Sequence, residues 1–86
     1  MKVRIPTPLR SYTSNQPVVA AEGVTLDQVL RDLDRQFPGM RFRVVDEQGQ
    51  LRQHVNIYVN SERERDLSVD LTGVAEVVIM QALSGG

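Results

Sequence analysis

Cysteine is absent from this 86-residue chain, which removes a disulfide framework, a thiolate nucleophile and every cysteine-based metal site. One histidine and scattered carboxylates give no metal cage either. Charge of one sign is also missing. Ten Lys and Arg residues stand against eleven Asp and Glu, so there is no basic field for nucleic acid and no cationic cluster for a membrane surface. Lysine itself is confined to Lys2. Long apolar runs are lacking too: Met1 to Pro6 alternates charged and apolar residues, so it is neither a signal peptide nor a membrane span. These absences point to a cytoplasmic protein that works with other proteins, and the length leaves room for one small domain. No catalytic constellation and no metal site is expected, and no bound cofactor is implied.

What is present begins with alternation. Lys2 to Ile5 puts Val3 and Ile5 on one face, the pattern of a half-buried strand, and Pro6, Thr7 and Pro8 end it. Leu9 to Gln16 carries Ser11, Thr13, Ser14 and Asn15, which favour turns and loops. A second strand is expected from Pro17 to about Ala21, closed by Glu22 and Gly23, so that the two strands form a hairpin with a long loop.

Thr25 is the best helix start. Its hydroxyl can cap the first-turn amides, and Gln28 three residues on completes a capping box. Leu26, Val29, Leu30, Leu33 and Phe37 recur at helical spacing, with Asp27, Arg31, Asp32, Asp34 and Arg35 opposite. The apolar stripe is read as core and the charges as a solvated face, with Asp27 and Arg31 placed for an i,i+4 pair. Phe37-Pro38-Gly39 stops the helix.

Met40 to Leu51 has no clear period, apart from a turn at Asp46-Glu47-Gln48-Gly49. His54 to Asn60 alternates again, Val55, Ile57 and Val59 inward, His54, Asn56, Tyr58 and Asn60 outward. With no nucleophile for it to activate, His54 is read as an exposed strand residue. Ser61 to Asp66 is a charge run, expected to be a solvated turn. The last strand, Glu76 to about Leu83, is apolar on both sides: Val77, Ile79 and Leu83 on one, Val78, Met80 and Ala82 on the other. Such a strand sits mid-sheet. A single helix covers only one sheet face, so Val78, Met80 and the neighbouring Tyr58 are expected to form an exposed patch that docks partner enzymes.

Leu83, Ser84, Gly85 and Gly86 close the sequence. Two glycines carry no side chain and take dihedrals that a Cβ forbids, so an enzyme can thread this end through a narrow channel and react its carboxylate. Chance alone gives a glycine pair roughly once in two hundred chains, so the tail does not decide by itself between a reactive end and an expression scar. The expected organisation is a domain over residues 1–82 with a flexible diglycine tail over residues 83–86.

The element order β-β-α-β-β, with a final strand parallel to the first, is an α+β arrangement: a ubiquitin-like β-grasp roll, a mixed sheet packed on one main helix. The chain resembles the ubiquitin-like sulfur carriers, the family of the molybdopterin synthase small subunit and the thiamine-pathway sulfur carrier. The likeness lies in Ile5-Pro6-Thr7, in the run from His54 to Asn60, and in the last strand leading to Gly85-Gly86. The run Val55 to Asn60 followed by an acidic turn most resembles the carriers of cysteine synthesis and of thiocarboxylate siderophore pathways. Asp70 to Ala75 departs from the acidic turn usual in the family. The resemblance implies that an E1-like enzyme consumes ATP to adenylate Gly86, that sulfur converts the adenylate to a thiocarboxylate, and that a sulfur-accepting biosynthetic enzyme receives it. A JAMM-type metalloprotease is an implied further partner, trimming residues beyond the diglycine or releasing product. The alternatives are a molybdopterin synthase small subunit, a ubiquitin-like protein modifier, whose lysine-linked chains Lys2 alone would limit, and a plain interaction domain.

Overall fold

The computed structural model describes residues 1–82. Strand β1 (Lys2–Arg4) leads through a 3-10 helix (Thr7–Thr13) to β2 (Val18–Ala20), helix α1 (Leu26–Gln36) and a short α2 (Met40–Val44), then β3 (Val55–Val59), β4 (Glu62–Glu64) and β5 (Glu76–Gln81). The five strands form one sheet in the order β2-β1-β5-β3-β4. β1 and β5 run parallel at its centre, Val3 opposite Val77, and the other pairs are antiparallel. The mid-sheet position expected for the last strand is therefore observed.

Pleating divides the sheet into two faces. Val3, Val19, Val55, Ile57, Val77 and Ile79 point inward and are buried against Leu26, Val29, Leu30 and Leu33 of α1. Burying each such side chain stabilises the fold by about 1.5–3 kcal/mol. Thr25 caps α1 as expected, its Oγ1 accepting from Gln28 N–H at 3.2 Å, while Gln28 Oε1 accepts from Val24 N–H, one residue earlier than in a standard box. The amides of Leu26 and Asp27 donate to Val69 O and Leu67 O, so the loop before β5 closes the helix start. Gly23 is required there, because a Cβ would come within 2.7 Å of the Val29 nitrogen.

Three expectations change. The Leu9 to Gln16 loop is largely 3-10 helix, held because Leu9 and Thr13 are fully buried and the Thr13 hydroxyl bonds Arg10 O and Gln16 O. Met40–Val44 is helical, so α1 is the main helix but not a single one. The turn at Asp46 is present and closes a bridge between Val45 and Leu51. The charge run is not all turn: Asn60 and Ser61 take positive φ and return the chain as β4, an edge strand for which Glu62, Arg63 and Glu64 suit exposure and discourage further pairing. Arg65 clamps the turn before β3, donating to Val55 O, Leu51 O and Arg52 O. β5 is described as a strand only to Gln81, and Leu83 lies outside the described residues.

The charged face of α1 ties the helices together. Asp27 accepts from Arg31 Nε at 2.7 Å and from Arg41 Nη2 of α2 at 2.9 Å. The Arg31 hydrogen bond holds the Asp27 carboxyl below its usual range, burial opposes this, and Arg41 adds to the lowering. Asp32 is lowered chiefly by Arg35, and Asp66 and Asp70 by the hydroxyls of Ser68 and Thr72. Because the folded-state values are depressed, the stability these groups contribute is present above the unfolded carboxylate pKa near 4 and is lost as pH falls through the lower folded values. Acid unfolding followed by circular dichroism should therefore steepen below about pH 4. Asp27→Asn should unfold more easily than the parent at neutral pH, and the gap should close on acidification. A gap that stays constant from neutral to strongly acidic pH contradicts the assignment.

Candidate functional site

The site begins where β5 ends. Ala82 N–H donates to His54 O at 2.8 Å, so the described chain ends on the central strand beside the start of β3. Leu83, Ser84, Gly85 and Gly86, read as the reactive and threaded residues, lie outside the described residues. His54 is exposed and precedes β3, where it contributes a backbone carbonyl.

The three residues expected to dock partners share the outer face of the sheet. Val78 lies directly opposite Tyr58 on β3 and Arg4 on β1, and Met80, two residues along β5, lies opposite Asn56. Directly opposed residues on one face have Cβ atoms about 4.5–5.5 Å apart, so Val78 and Tyr58 form one apolar unit. Met80 is 50 % exposed, and Val78 and Tyr58 are half-buried. Charge rims the patch: Arg4 Nε pairs with Glu76 Oε2 at 2.9 Å, and Arg63 is opposite Tyr58. Of the other exposed large apolar side chains, Phe42 carries Arg52 over its ring at 4.7 Å, and Val24 lies in the loop before α1.

Beside this face is a feature that sequence reasoning missed, a groove of about 570 Å³ between the end of β5 and the start of the 3-10 helix, lined in part by Arg4, Pro6, Arg10, Val78 and Met80. Pro6 and Pro8 mark its far wall in the sequence, but only the point at which β1 and β5 part opens it. The lowered carboxyls of Asp27, Asp32, Asp66 and Asp70 all sit in α1 or the loop before β5, where they serve the fold. Among the described residues no group of His, Asp and Glu could hold a metal ion, and no helix is long and apolar enough to cross a membrane. What the described residues offer is an apolar outer face at the end of the central strand, rimmed by charge.

A mixed five-stranded sheet wrapped on one long helix, with parallel central strands, defines a ubiquitin-like β-grasp domain. The ThiS family model matches residues 3–86, and the chain belongs to that family. It is 40 % identical over 89 residues to the sulfur carrier protein CysO of Mycobacterium tuberculosis, an alignment covering 98 % of this chain and 96 % of the relative. The crystal structure of M. tuberculosis CysO superposes with a TM-score of 0.88 at 37 % identity, covering 95 % of this chain and 98 % of that one. CysO in the Amycolatopsis orientalis BexX/CysO complex gives a TM-score of 0.87 at 31 % identity, covering 99 % and 98 %. SAMP1 from Haloferax volcanii, at 24 % identity, a TM-score of 0.78 and coverage of 100 % and 98 %, shares the fold.

Proposed function

We infer that the protein is a sulfur carrier for biosynthesis, with the Gly86 carboxylate as its reactive group. The observation that carries this reading is the family match, which runs through Gly86, together with 40 % identity to CysO over nearly the whole chain. In the active form Gly86 is the final residue, whether encoded so or exposed by a JAMM-type metalloprotease. A carboxylate has no acceptable leaving group at neutral pH, so it must first be activated. A carboxylate oxygen attacks the α-phosphorus of ATP in an E1-like enzyme, pyrophosphate leaves, and the acyl-adenylate forms. A sulfur nucleophile then adds to the carbonyl and AMP departs. The resulting thiocarboxylate attacks an electrophile held by a sulfur-accepting enzyme in cysteine or thiocarboxylate-siderophore synthesis. The chain is thus a protein-sized co-substrate acting in the cytoplasm, the chemistry residing in its partners, and ATP is consumed by the activating enzyme.

The fold contributes placement. Residues 83–86 span at most about 14 Å when extended, so the enzyme that reacts Gly86 must sit against the domain itself. Val78, Met80 and Tyr58 offer the apolar surface nearest the root of that segment. Ordering the threaded residues costs about 1–2 kcal/mol each in backbone entropy, which docking on this patch offsets. The complex of A. orientalis CysO with BexX supports the reading of a carrier handed to partner proteins.

The patch has its own test. Val78→Asp and Met80→Asp should leave the circular dichroism spectrum intact, since both positions face outward. With activating enzyme at limiting concentration, each should slow thiocarboxylate formation by about tenfold or more, as expected for charge placed at an interface core. Unchanged rates together with unchanged affinity for the activating enzyme contradict a docking role.

A further inference from the structure

The two central strands part before β5 ends. β1 pairs with β5 only from Lys2 opposite Glu76 to Arg4 opposite Val78. At Ile5 the backbone N–H donates to Pro17 O at 2.8 Å instead, and the prolines that follow lead into the 3-10 helix. β5 runs on through Ile79, Met80 and Gln81 with a strand partner on its β3 side alone. The most central strand therefore has an open edge from the Ile79 carbonyl to Gln81, about 7 Å at strand spacing, facing the 570 Å³ groove.

The lining of the groove is specific. Ile5, Pro6, Val78 and Met80 make it apolar, while its charge is of one sign, with Arg4 and Arg10 in the lining and no Asp or Glu. Arg4 is engaged by Glu76. Arg10 spends only Nε, donating to Ile5 O at 3.0 Å, and its terminal guanidinium nitrogens make no hydrogen bond among the described residues. Beyond Ile79, only Gln81 continues this edge of β5 before the described strand ends.

We propose that this groove is a strand-addition site for an extended, acidic segment of a partner protein. Backbone groups of the incoming segment pair with the Ile79–Gln81 edge. Its alternate side chains fall to opposite sides, apolar ones onto Val78 and Met80 and carboxylates toward Arg10. The inference deepens the carrier reading by giving the chemistry of a partner, and rests on it only for which proteins supply the segment.

The test uses a fluorescein-labelled heptapeptide alternating aspartate with valine, compared with its lysine–valine counterpart, by anisotropy and by amide chemical shifts of the full chain. The acidic peptide should bind about tenfold more tightly or better, with shifts concentrated at Ile79 to Ala82 and Leu9 to Arg10. Arg10→Gln should weaken it severalfold, and Met80→Asp, at an exposed position, should do so by repulsion. Equal binding of the two peptides, no binding at millimolar peptide, or shifts confined to the β2 or β4 edge overturns the proposal. So does a Leu83→Ala chain that binds the peptide roughly tenfold more tightly, which would assign the groove to the chain's own end, and so does self-association that the peptide dissolves. Thiocarboxylate formation by the same preparation is scored separately. A protein that is converted but does not bind the peptide loses this inference and keeps the carrier reading, and one that binds but is never converted does the reverse.

Discussion

Deleting Gly86 should abolish thiocarboxylate formation while leaving the melting temperature of the domain unchanged. The expected loss is complete because the deletion shortens the reach to the adenylation site by one residue, about 3.3–3.6 Å, and misplacements near 1 Å already cost about 10²-fold in rate. It also puts Gly85 where Gly86 reacted and Ser84 where a bare backbone was threaded. Gly86→Ala should retain the length and still lose most of the activity, because a methyl group must fit beside the forming adenylate and the new residue is denied dihedrals open to glycine. The pair of variants separates reach from steric fit. Both are read by intact mass after incubation with activating enzyme, ATP and sulfide, with thermal unfolding as the control. Normal yield from Gly86→Ala would count heavily against a threaded mechanism.

Leu33→Ala should do the opposite, damaging the fold and sparing the chemistry. Leu33 is fully buried on α1 within the core that β1, β3 and β5 complete. Truncation leaves a cavity among well-packed neighbours and should cost about 2–5 kcal/mol. For a domain of this size each kcal/mol lowers the melting temperature by roughly 4–8 °C, so a drop on the order of 10 °C or more is expected. At a temperature where the variant remains folded, its rate of conversion per folded molecule should match the parent's, because Leu33 faces away from the Val78, Met80 and Tyr58 surface. A folded variant that is poorly converted would show that the core couples to the site in a way the fold does not explain.

Elements that declare themselves locally were legible in the sequence. The alternation of Val3 and Ile5, the Thr25 cap with its Leu26 to Leu33 stripe, and the Val55 to Val59 pleat each encode one element in a few residues, and the doubly apolar β5 announced its central place. The rest depended on tertiary context. The 3-10 helix reads as a loop because Ser11, Thr13 and Ser14 are loop formers; only the burial of Leu9 and Thr13 coils it. β4 alternates charges rather than apolar and polar residues, since an edge strand needs no buried face, and α2 has five residues, too few to show a period. The juxtaposition of Val78, Met80 and Tyr58 followed from side-chain alternation once the strands were placed. The groove did not, because where β1 leaves β5 is set by the bond from Ile5 to Pro17 and is written in no motif.

The central claim is that Gly86 carries the chemistry, and intact mass of the wild-type protein tests it most directly. After incubation with a cognate activating enzyme, ATP and sulfide, the chain should gain the mass of one sulfur in exchange for one oxygen, and fragmentation should place the change at Gly86. A chain that keeps its carboxylate, or that gains sulfur at any other residue, contradicts the account.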